Sequence, residues 1–83
     1  AEQAVIEVDL RGMTQTEALE TLDKFLDDAV LSGAPFVRVI HGKGTGVLRR
    51  AVQHALKADP RVESYRLGEA GEGGDGVTVA TLK

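Results

Sequence analysis

Phe36-Val37-Arg38-Val39-Ile40-His41-Gly42-Lys43-Gly44-Thr45-Gly46, running on into Val47-Leu48-Arg49-Arg50, is the stretch whose reading decides the fold. A short β-branched run ends in a histidine, and alternate residues are then glycine. A new apolar pattern follows: Val47, Leu48, Ala51, Val52, Ala55 and Leu56. Its three- and four-residue steps predict a helix from Val47 to Ala58 that buries this stripe and ends at Asp59-Pro60. The run before the glycines predicts a central strand, because only Arg38 is polar in it.

A strand, a glycine turn and a helix N-terminus make a ready anion site. The first amides of a helix lack intrahelical partners and attract negative charge. Glycines let the backbone come close to a ligand. Lys43 adds a mobile cation, and His41 adds a group able to take or give a proton near neutrality. Arg38, Arg49, Arg50 and Lys57 lie around the same stretch. The loop is not a P-loop, because the Gly-Lys-Ser/Thr ending is missing. Gly42-x-Gly44-x-Gly46 is also one residue short of the dinucleotide fingerprint.

Working outward, Val5 to Leu10 alternates, with Ile6, Val8 and Leu10 on one face and Glu7 and Asp9 on the other. This predicts a half-buried strand ending in the pair Asp9 and Arg11. Thr14-x-x-Glu17 is a capping-box pattern. Ala18, Leu19, Leu22, Phe25, Leu26, Ala29 and Val30 then trace the buried stripe of a first helix, which Gly33 and Pro35 stop. Val62 to Leu67 and Val77 to Leu82 read as strands, joined by a flexible acidic hairpin loop from Gly68 to Gly76.

The order β-α-β-α-β-β predicts a two-layer α/β sandwich with a four-stranded mixed sheet and two helices on one face. Strands joined through helices run parallel, and the last two run antiparallel. Glu7, Asp9 and Arg38 are expected to be exposed on the opposite face. Ligands of such sheets sit at the carboxyl ends of parallel strands, so Asp9-Leu10-Arg11 and His41-Gly42 should meet at one edge. His54 reads as an ordinary surface residue.

Bulk composition narrows the class. The chain has 83 residues, a net charge of −3 and no cysteine. One domain, residues 1–83 and ordered from about 5 to 82, is expected. The missing cysteines remove disulfides and thiolate metal sites, and they fit a cytoplasmic protein. The acidic balance argues against a nonspecific DNA-coating protein. Aromatics are few (Phe25, Phe36 and Tyr65), which disfavours a base-stacking platform. A start at Ala1-Glu2-Gln3, without methionine, suggests excision from a longer protein.

Val8-Asp9-Leu10-Arg11-Gly12-Met13, then Val39-Ile40-His41-Gly42-Lys43-Gly44-Thr45-Gly46, then Gly74-Asp75-Gly76-Val77-Thr78-Val79 resemble the Smr (small MutS-related) domain. The likeness runs from about Val5 to Leu82. Only Val8, where leucine is usual, departs from the first motif. The resemblance implies a βαβαββ fold similar to the C-terminal domain of translation initiation factor 3. It implies an endonuclease that nicks DNA or cleaves RNA. Such domains often end MutS-like proteins that suppress recombination or act on stalled ribosomes, with an ATP-binding region elsewhere in the parent chain.

Carried over to this chain, the resemblance makes Asp9, Arg11, His41 and Lys43 the expected catalytic residues. Gly42 and Gly44 from the resemblance, and Thr45, Gly46, Arg38, Arg49 and Arg50 from the loop and charge pattern, are the expected phosphate or nucleic-acid contacts. Asp9 either orients His41 or Arg11, or holds Mg²⁺ or Mn²⁺ with water. Partners would be DNA or RNA, and the ribosome through the parent protein; no membrane is implied. The rival readings are a noncatalytic nucleic-acid-binding module using the same loop, and a protein-interaction domain.

Overall fold

The computed structural model describes residues 6–83. Val5, expected to begin the first strand, lies outside the described residues. Strand β1 is Ile6–Asp9. Helix α1 follows at Gln15–Leu31, strand β2 at Phe36–Ile40 and helix α2 at Val47–Ala58. Strands β3 and β4 are Val62–Leu67 and Val77–Leu82. The strands lie in the order β1-β2-β4-β3.

β1 pairs with β2 in parallel, and β4 pairs antiparallel with both β2 and β3. β2 and β3 therefore run the same way, as the intervening helix requires. They are not neighbours, because β4 lies between them. This last strand is the most buried of the four, with only Thr81 partly exposed.

The two helices cover one face. Ala18, Leu22, Leu26 and Ala29 of α1 and Val52 and Leu56 of α2 pack with Val37, Val39, Ala80 and Leu82. Ile6 and Val8 of β1 join them, as the alternating pattern predicts. At about 25 cal/mol per Å² of apolar surface, each fully buried Leu contributes on the order of 2 kcal/mol. α1 begins at the expected capping box. The Glu17 amide donates to the Thr14 hydroxyl at 3.2 Å, and the Thr14 amide donates to the Glu17 carboxylate at 3.1 Å.

Four expectations change. Val30 and Val47, assigned to buried stripes, are 43% and 47% exposed. Each lies at the end of its helix, beyond the reach of the facing element. The Gly68–Gly76 segment is not an extended loop. It folds into two 3₁₀ turns, Ala70–Glu72 and Gly74–Gly76, the first closed by a Glu69/Glu72 capping box.

Arg38 is not freely exposed. Its Nη2 donates to the Glu72 carbonyl at 2.7 Å. Arg66 grips the Glu72 carboxylate with two bonds, at 2.7 and 3.0 Å. Two arginines beside Val79 in neighbouring strands thus tie the glycine-rich turns down on the open sheet face. Val77 and Val79 beneath are only 4% and 5% exposed.

Candidate functional site

The carboxyl ends of β1 and β2 lie side by side, with Asp9 paired to Ile40. Just beyond, the Leu10 amide donates to the Ile40 carbonyl at 2.7 Å. The chain then turns, and the Asp9 carboxylate accepts three hydrogen bonds from Arg11. Its Oδ1 accepts from the Arg11 backbone amide and from Nε, both at 3.0 Å, and its Oδ2 accepts from Nη2 at 2.8 Å. These bonds, the side-chain pair foremost, hold the Asp9 carboxyl down to about 2. Asp9 therefore orients Arg11, not His41: it faces the open side of the sheet with Glu7, whereas His41 continues the buried Val37/Val39 face.

Arg11 reaches across to the second motif. A Cβ at Gly42 would stand 3.3 Å from Arg11 Cγ, so the arginine stem lies against the glycine. Gly42 also has φ 82, a conformation that a side chain disfavours. The amides of His41 and Gly42 both donate to the Gly76 carbonyl, at 3.1 and 2.9 Å. The glycine-rich turns thus hold the loop from below. Their Asp75 carboxylate sits 3.5 Å from Lys43 Nζ.

His41 is only 5% exposed. Its Nδ1 lies 2.9 Å from the Gly42 carbonyl, and its Nε2 lies 2.7 Å from the Thr78 hydroxyl. Both ring nitrogens therefore already have partners inside the protein.

α2 starts at Gly46, φ 83, with no side-chain cap and no acidic residue in its first turn. Thr45 gives only a long contact, 3.4 Å from the Val47 amide. The guanidinium heads of Arg49 and Arg50 curl back over this terminus, 3.1 and 3.4 Å from where a Gly46 Cβ would stand. Among the described residues neither has an ion-pair partner. Open amides and unmatched cations at one helix end form a site for anions.

Arg11, His41 and the loop from Gly42 through Gly46 line a depression of about 420 Å³ with Val47, Leu48 and Arg49. A second hollow of about 620 Å³ lies on the open sheet face and contains Arg38. Arg11, Gly42 and Lys43 line both, so they form the ridge between them. The structure brings together Asp9, Arg11, Lys43, Arg49 and the loop. It leaves Arg38 on the other side of that ridge.

Among the described residues no three His, Cys, Asp or Glu side chains group to hold a metal ion. At Asp9 the residues present do not fit a divalent cation, because the carboxylate belongs to no such group and the positive charge of the bonded Arg11 guanidinium opposes the ion.

Sequence reading missed Thr78 and the anchoring role of Gly76. Thr78 stands in the same Gly74–Val79 motif, but nothing local tells its hydroxyl from that of any other strand threonine. The available clue to the glycine was its place in the Gly74-Asp75-Gly76 motif.

The geometry defines a class: a small α/β domain with a glycine-rich, cation-lined loop where two parallel strands end. The chain belongs to the Smr domain family, whose model matches residues 8–83. It is similar to proteins named Endonuclease MutS2. It is 73% identical over 77 residues to that of Symbiobacterium thermophilum and 63% identical over 76 residues to that of Clostridium novyi. The matches cover 93% and 92% of this chain but 10% of each relative, so the chain spans about a tenth of their length. The crystal structure of the Smr domain of Thermus thermophilus MutS2 superposes with a TM-score of 0.93 at 52% identity. That match covers 95% of this chain and 99% of that one. The solution structure of the SMR domain of NEDD4-binding protein 2 matches with a TM-score of 0.69 at 28% identity, covering 100% and 91%.

Proposed function

We propose that this domain cleaves phosphodiester bonds in DNA or RNA as the nuclease module of a larger MutS-like protein acting in recombination control or at stalled ribosomes. The observation that carries this reading is that Arg11, Lys43 and Arg49 line one depression with the uncapped start of α2, where the Arg50 guanidinium also lies. Arg11, Lys43 and the loop amides hold the scissile phosphate and stabilise the charge that grows in the transition state. Arg49 and Arg50 contact neighbouring phosphates, which adds affinity without reading sequence. Asp9 fixes the plane of the Arg11 guanidinium. His41 serves as general acid or base through Nδ1: the protonated ring gives its Nδ1 proton to a substrate oxygen that replaces the Gly42 carbonyl, and the neutral ring left with its hydrogen on Nε2 can take a proton back at Nδ1. No step is routed through a metal ion. The names of the MutS2 relatives support the nuclease reading.

A second reading has its own observation. The buried His41, bonded at both nitrogens, also suits a noncatalytic binder in which the ring only braces the loop. One experiment separates them: incubate the chain with supercoiled DNA and with structured RNA, with Mg²⁺, Mn²⁺ or EDTA, beside His41→Ala and Lys43→Ala. An enzyme loses cleavage in His41→Ala while keeping most binding, and Lys43→Ala lowers cleavage on the order of 100-fold. Cleavage equal to wild type in both variants would sink the proposed site. Salt-dependent binding without cleavage selects the binder.

A further inference from the structure

His41 and Thr78 are the buried polar side chains of this fold among the described residues, 5% and 0% exposed, and they bond to each other. We propose that Thr78 is a positioning residue for His41: its hydroxyl holds the ring by Nε2 while the Gly42 carbonyl holds it by Nδ1. Together they fix the Nδ1–H form of the imidazole at the edge of the anion depression. The catalytic consequence rests on the nuclease reading above; the positioning does not.

The chemistry assigns the hydrogens. A carbonyl oxygen only accepts, so the Nδ1 facing the Gly42 carbonyl at 2.9 Å carries the hydrogen. In the neutral ring the lone pair is then on Nε2, and the Thr78 hydroxyl donates to it across 2.7 Å. A hydroxyl both donates and accepts. When the ring takes a proton, Nε2–H donates to the same oxygen. Thr78 therefore serves the ring in both protonation states without moving, which is what a proton-handling imidazole needs from a buried neighbour.

Strand packing does not call for that hydroxyl. Val77, Val79 and Ala80 surround Thr78 in β4, and the opposite residues in its pairs are Val39 and Leu67. A valine has the same shape and the same strand preference. Only the ring needs the oxygen. With valine there, Nε2 would be buried without a partner, and the ring would turn toward the solvent of the depression. That turn also breaks the bond to the Gly42 carbonyl.

The test compares the wild-type 83-residue chain with Thr78→Val and Thr78→Ser by nitrogen-15 NMR of the imidazole at neutral pH, with cleavage and salt-dependent binding measured alongside. A dispersed amide spectrum in each variant controls for folding. The expected result is a single Nδ1–H tautomer in wild type and Thr78→Ser, and tautomer averaging in Thr78→Val. Cleavage by Thr78→Val should fall by about 10- to 100-fold, within the range of acid–base contributions, with binding kept and Thr78→Ser near wild type. A wild-type ring without the single Nδ1–H form, or a Thr78→Val ring that keeps it, overturns the proposal. If no protein cleaves anything, the nuclease reading fails and the NMR result still decides the positioning.

Discussion

The same local turn is built twice in this chain. In Asp9-Leu10-Arg11 and in Asp59-Pro60-Arg61, the aspartate Oδ1 accepts from the arginine's backbone amide and Nε, and Oδ2 accepts from Nη2. The surroundings differ. Arg61 is sunk to 25% side-chain exposure and also meets Asp23 of α1 at 2.8 Å and Asp27 at 4.0 Å. Three carboxylates around one guanidinium tie the end of α2 to the flank of α1. Arg11 is 62% exposed, has only Asp9, and its Nη1 has no partner among the described residues. One copy of the turn uses up its cation; the other aims a cation at a depression and leaves an edge open. Matched charge marks where the fold is held, and unmatched charge marks where a ligand is expected.

The largest effect is expected from Arg11→Ala. It should lower cleavage on the order of 100-fold and leave the melting temperature unchanged, measured by nicking kinetics and thermal denaturation. Arg61→Ala should do the reverse: a stability loss of about 1–3 kcal/mol by urea titration, with binding preserved. If the two variants destabilise alike, the contrast between the turns is broken. Arg49→Ala combined with Arg50→Ala sharpens it. The slope of log affinity against log salt should fall by roughly 1.5 to 2 for two lost phosphate contacts.

Acid gives a smaller effect with a defined window. Glu72 is held down to about 2, first by the Arg66 side chain and then by the Glu69 amide. A depressed carboxyl contributes above its ordinary value of 4.5, and the contribution is lost as pH falls through about 2. The glycine-rich turns should therefore stay docked to pH 3, followed by NMR of the Gly73 and Gly74 amides. Undocking at pH 4 would show that Arg66 and Arg38 do not hold them. Smallest is Asp75→Asn. Removing the carboxylate beside Lys43 should tighten DNA or RNA binding by about two-fold, as befits an exposed pair.

The helices were legible because an apolar stripe repeats every turn, and Thr14/Glu17 marks its own start. The loop after β2 was legible because glycine and lysine have meaning at a strand end. The place of β4 was not, since pairing between distant segments leaves no local periodicity. For the same reason the Gly68–Gly76 segment read as a slack hairpin: what fixes it is Arg38, far away in sequence, together with Arg66. Asp59-Pro60 read only as a helix stop and Arg61 went unremarked, because the carboxylates that complete the turn lie on α1. Thr78 passed as an ordinary strand residue, since its partner is also distant.

The position of β4 sets an order of events. Of the four strands, the one made after the others occupies the middle of the sheet and carries Thr78; immediately before it comes Gly76, whose carbonyl receives the amides of His41 and Gly42. Until that segment emerges, β2 and β3 have no strand between them, and the loop lacks the carbonyl that shapes it. Pairing at such sequence separation is slow to form. On a ribosome the loop after β2 would be the last part of the domain to mature. A nascent chain stopped before Gly76 would carry Asp9, Arg11 and the whole His41–Gly46 loop and no assembled site.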